Sequence, residues 1–193
     1  MRPGTLRCAL QHFAASYPDV SLDLTITGSR ALSEKLALGL LDVVIGDPEE
    51  VGMKPVSGWQ MPLQWVASRE FRAGKETPLP LVFFDEHYTW NGKMMKALEE
   101  IGRPWRRAVT TASLFSIQSA VEVGLGVAVL LDAGTQRDRM KVLGIAHGMP
   151  PAPTVDFGIF IADAGDLSRG AMGALWRFIA DELEIVEGAS TKK

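Results

Sequence analysis

The chain has 193 residues, 47% hydrophobic and 22% charged, with a net charge of −3 and one cysteine. That length holds one domain or two small lobes with an ample core, and the slight acidity speaks against a nucleic-acid surface, which shows as a basic stripe. Cys8 alone allows no intrachain disulfide. No apolar run reaches the ~18 residues of a membrane span, and the start lacks a secretory signal's apolar stretch. A cytoplasmic protein with no membrane contact is expected.

In chain order, Leu6, Leu10, Phe13 and Tyr17 recur at helical spacing until Pro18 stops them. Cys8 falls among them and reads as a small buried hydrophobe. Leu22, Leu24 and Ile26 alternate with Asp23, Thr25 and Thr27, which predicts a strand over 20–27. Gly28-Ser29 breaks that run, with Ser29 as a helix N-cap. Leu32, Leu36 and Leu40 then predict a helix over 31–41, ended or loosened by Gly39. The apolar run Val43-Val44-Ile45 predicts a strand over 42–46, followed by a Pro- and Gly-rich loop to Gly58.

Beyond it, the pattern predicts an extended run over 60–68, a strand over 81–84, and a helix over 90–101 closed by Gly102 and Pro104. A strand over 105–111 leads to a helix over 114–123, with Ser113 as its N-cap, and a strand over 127–131. A short strand over 140–143 precedes the stiff connector Met149-Pro150-Pro151-Ala152-Pro153 and a strand over 154–162. Met172, Leu175, Trp176, Ile179 and Leu183 mark the last helix, and the tail from Gly188 to Lys193 reads as disordered. Strands alternating with helices predict α/β lobes with largely parallel sheets.

Little in the chain points to catalysis. His12, His87 and His147 have no Cys or second His at ligand spacing, so no metal and no cofactor is expected. Asp85-Glu86-His87 reads as a solvated loop, because adjacent side chains point different ways. Gly124-Leu125-Gly126 opens a strand rather than a helix, so it reads as a helix C-cap and not a dinucleotide loop. Arg103, Arg106 and Arg107 read as solvated surface. Trp65, Trp90 and Trp176 read as core. Two turns suit a small ligand better. Gly28-Ser29 and Thr110-Thr111-Ala112-Ser113 each lead into a helix, and a helix start offers unpaired N–H groups and partial positive charge.

The order of these pieces resembles the effector-binding domain of LysR-type transcriptional regulators. The resemblance rests on Gly28-Ser29, then Leu32-x-x-x-Leu36-x-x-Gly39-x-Leu41-Asp42 before an apolar strand. It continues through Trp65-Val66-Ala67-Ser68-Arg69, the run Leu79 to Phe84, Gly102-Arg103-Pro104-Trp105, Thr110 to Ser113, and Val123-Gly124-Leu125-Gly126-Val127, covering roughly Pro3 to Glu182. It implies two Rossmann-like lobes of the type 2 periplasmic-binding-protein fold: lobe I from 1–67 and 157–193, lobe II from 68–156, with crossings near 64–69 and 153–162.

It also implies a small effector, often anionic, held at Gly28, Ser29 and Arg30 on one lobe and Thr110, Thr111 and Ser113 on the other. Association into a homodimer or tetramer is implied too, the first helix meeting helix 114–123 of a second copy through Ala14 and Phe115. DNA would be bound only through a helix-turn-helix expected to lie outside these residues. One departure stands out: the family's lobe I opens with a central strand, and here the first helix begins almost at Met1. The reading is therefore of an N-terminally truncated domain, with strands 22–26 and 43–45 left apart or mispaired. Rival readings are a solute-binding protein of the same fold and a small prephenate dehydratase-like lyase, whose Thr-Arg-Phe motif is absent.

Overall fold

A computed structural model of the chain describes residues 5–72, 74, 77–85, 89–162, 170–171, 173–179 and 181. They divide into two compact units: the described residues up to Trp59 together with those from Asp156 onward, and Gln60–Val155.

In the first unit, α1 (Thr5–Ser16) buries Ala9 and Phe13, and Phe13 stacks on Tyr17 with ring centroids 5.2 Å apart. Pro18 stops the helix, as its ring and missing N–H require. α2 (Ser29–Ala37) buries Leu32 and Leu36. Strands β1 (Val43–Gly46) and β7 (Thr154–Ile161) pair antiparallel, Val43 opposite Ile161 and Gly46 opposite Gly158. Alternation then splits the core. Val43, Ile45, Ile159 and Ile161 pack with Ala9, Ile179 and Trp59, while Val44 and Phe160 pack with Leu32, Leu36 and Val51. Both faces of the pair are covered, which is why β1 reads as a continuous apolar run. Between them, α3 (Pro48–Val51) is capped by Asp47, whose Oδ1 accepts from Glu49 N at 2.9 Å.

In the second unit, β2 (Ser57–Ser68, shared with the first) pairs antiparallel with β5 (Ala128–Leu131) on one side and β6 (Met140–Leu143) on the other. β3 (Leu79–Phe84) and β4 (Trp105–Thr111) run parallel, and a bridge between Leu81 and Val127 joins them to the start of β5. Gly126 makes that junction possible, since a Cβ there would lie 2.7 Å from the Pro80 carbonyl oxygen. α4 (Thr89–Glu100) buries Met94 and Leu98. α5 (Leu114–Glu122) packs Ile117, Ala120 and Val121 against Val66, Val82, Phe84, Ala128 and Leu130. Trp65 is 0% exposed and donates to the Pro150 carbonyl at 3.0 Å. Trp90 meets Phe84 edge-on, and Trp176 packs against the Ala9–Ile159 cluster, so all three tryptophans belong to cores.

Several expectations need correction. The strand over 20–27 does not form: these residues pair with no strand among the described residues, and Leu24 and Ile26 are 64% and 95% exposed. Alternation prepares a face, but a strand exists only where its N–H and C=O groups meet a neighbour's. The helix over 31–41 starts two residues earlier and ends at Ala37. Gly39 adopts φ +67°, Gly39 N donates to Leu36 O and Leu40 N to Lys35 O, so Leu40 is turned out to solvent. The pairing is mostly antiparallel among the described strands, because the long strands β2 and β7 meet their neighbours head to tail. Cys8 is half-buried. Pro3, the Leu6 side chain, Glu86, His87, Met172, Leu183 and the tail from Gly188 lie outside the described residues.

Candidate functional site

The first turn lies in the first unit. Gly28, buried and extended at φ −64° and ψ 150°, is the N-cap of α2 and has no side chain to offer. Ser29 is the first helical residue instead of the cap. Its half-buried Oγ accepts from Asp47 N at 3.0 Å, and Ser33 Oγ donates to Val51 O at 2.8 Å. The two hydroxyls therefore lace α2 to the turn after β1. A hydroxyl that accepts one bond still has a proton to donate. The first bond within α2 runs from Leu32 N to Gly28 O, which leaves the N–H groups of residues 29–31 outside the helical ladder. Arg30 is exposed beside them.

The second turn lies in the second unit, where parallel β3 and β4 end side by side. Phe83 is opposite Thr110 and Phe84 opposite Thr111, and Asp85 N donates to Thr111 O at 3.1 Å. Thr111 Oγ1 accepts from Ser113 N at 3.3 Å, and Ser113 Oγ accepts from Ser116 N at 3.4 Å, so Ser113 is the N-cap of α5 as expected. Thr110 and Ser113 are exposed and Thr111 half-buried. The carboxyl ends of parallel strands, with a helix N-terminus beside them, are where open α/β sheets hold ligands.

Sequence reasoning missed three supports of these turns. Asp47 is the partner of Ser29, 18 residues on. Asn91 Nδ2 donates to Phe84 O and Asp85 O, each at 2.9 Å, and holds the end of β3 in place. Asp85, taken as part of a solvated loop, is half-buried against β4. Its position directly after the apolar run of β3 is the signal that would have found it. Gly28, Ser29 and Arg30 share one turn and Thr110, Thr111 and Ser113 another. Both turns offer hydrogen-bond donors and partial positive charge, chemistry for binding an oxygen-rich ligand. No group of three or more His, Cys, Asp or Glu suited to a metal ion is found among the described residues.

The chain belongs to the LysR substrate-binding domain family, whose model matches residues 2–184. It is 25% identical over 144 residues to the HTH-type transcriptional regulator PecT of Dickeya dadantii (strain 3937), a match covering 75% of this chain and 45% of PecT. The chain thus spans less than half the length of that curated relative. Two solved structures share the fold: Vibrio fischeri DarR in complex with DNA (TM-score 0.71, 9% identity, covering 93% of this chain and 65% of DarR) and the effector-binding domain of QuiR in complex with shikimate (TM-score 0.68, 15% identity, covering 91% and 88%).

Proposed function

We propose that this domain is the sensor of a LysR-type transcriptional regulator: it binds a small effector and passes the bound state to a DNA-binding part outside the sequence given. The observation that carries this is the family match over residues 2–184, together with two polar helix-entry turns in the two units. In this reading lobe I is residues 1–67 and 157–193 and lobe II residues 68–156, a division supported by the two compact units, which divide at 59/60 and 155/156. The effector, small and anionic, is held at the helix-entry turns, by Gly28, Ser29 and Arg30 and by Thr110, Thr111 and Ser113. The domain binds and does not catalyse. The regulator works in the cytoplasm as a homodimer or tetramer, with α1 of one copy against α5 of the next. The likeness to PecT supports a regulator over a solute-binding protein or a lyase. No helix among the described residues is long and apolar enough to cross a membrane.

An effector can shift the regulator only by its differential affinity for two arrangements. The test is a thermal-shift screen of small carboxylates, followed by calorimetry on Arg30→Ala and Ser113→Ala. Each substitution is expected to weaken binding at least about tenfold, since a hydrogen bond to a charged group contributes ~1.5–3 kcal/mol and ~1.4 kcal/mol is a factor of ten. A carboxylate that binds equally well to both variants would move the site elsewhere.

A further inference from the structure

A recess lies within the second unit, between the end of β2 and the end of α5, with a volume of about 390 Å³. Ser68 lines it. This residue is 3% exposed, and no hydrogen bond among the described residues uses its hydroxyl. Its hydroxyl is not among the buried unpartnered atoms, so it faces the solvent of the recess. Gly124, at φ +80°, stands over it, and a Cβ there would come 3.5 Å from Ser68 Oγ. A longer side chain at 124 would cover the hydroxyl; glycine leaves it accessible.

The opposite wall is the turn after β2, and it is anchored. Lys141 Nζ donates to Arg69 O at 3.0 Å and to Phe71 O at 2.7 Å. The lining carries charge of both signs: Glu70 and Arg72 from this turn, and Glu122 from α5. Glu122 is partly neutralised by Arg139 at 3.4 Å. The carboxyl end of α5 adds partial negative charge.

We propose that this recess is a second ligand site, separate from the helix-entry turns, for a small zwitterion of the amino-acid kind. The ammonium group lies toward Glu70, Glu122 and the end of α5, the carboxylate toward Arg72, and Ser68 Oγ bonds the ligand between them. The recess, about 390 Å³ and open to solvent, has room for such a molecule, and a lining of both signs selects one that carries both.

The test is calorimetry on the full 193-residue chain with each of the twenty amino acids, with ethanolamine as the ammonium half and propionate as the carboxylate half. At least one amino acid is expected to bind, with both half-ligands at least tenfold weaker. Ser68→Ala and the surface change Arg72→Gln should each weaken that binding at least fivefold. Binding by none of the twenty would overturn the proposal, as would equal binding of ethanolamine. Binding that survives both substitutions but is lost in Ser113→Ala would assign it to the helix-entry site, leaving the sensor reading intact and this one refuted.

Discussion

Two serines at helix starts do different work, and the difference is measurable. Ser113 caps α5 locally through Ser116 N, so Ser113→Ala should cost about 1 kcal/mol in urea unfolding. Ser29 accepts instead from Asp47 N, the residue that caps α3. Ser29→Ala strands that amide in a partly buried place, at about 1–3 kcal/mol, and should loosen α3 along with α2. Equal hydrogen-exchange protection of α3 in the wild type and Ser29→Ala would refute the lacing role. Trp65→Phe removes the donor to Pro150 O and leaves a small cavity where the second ring of the indole packed, at a fully buried position. The expected loss is again about 1–3 kcal/mol, read as a lower urea midpoint.

Among the elements, residues 20–27 and α5 carry sharp expectations. Leu22, Leu24 and Ile26 have the alternation of a strand and no ladder. Their amides should exchange with solvent within seconds, while those of β1, paired to β7, should be protected for far longer. Slow exchange over 20–27 would mean that these residues find a partner in solution. On α5, Phe115 is 74% exposed, so Phe115→Glu should leave the unfolding free energy of the single chain within about 0.5 kcal/mol of wild type. If α5 meets a second copy as proposed, the same substitution should turn dimer into monomer by light scattering. A dimer of unchanged mass would place the contact on another surface.

For the molecule as a whole, an effector that binds only the folded state should raise stability by about 2.7 kcal/mol at a hundred times its Kd. For a chain of this size that is a rise of roughly 5–10 °C in Tm. Slowed hydrogen exchange is expected at the start of α2 or of α5, the helix-entry turns proposed to bind it. Protection at neither would move the effector away from these turns.

Much of the fold was legible because its signals are short-range. Pro18 stops α1, and Gly39 and Gly124 end α2 and α5 in the left-handed conformation. The runs 105–111 and 140–143 form strands over the residues their patterns mark. The polar turns at Gly28-Ser29 and Thr110–Ser113 were visible for the same reason, since caps and breaks are written within a few residues. Tertiary structure decided the rest. Whether 20–27 becomes a strand depends on a neighbouring backbone, which no local pattern supplies. The role of Ser29 depends on Asp47, 18 residues away, and the place of Trp65 on Pro150, 85 residues away. Periodicity and punctuation specify which conformation a segment favours. Hydrogen-bond partners distant in the chain determine whether it is adopted, and what each polar side chain is left free to bind.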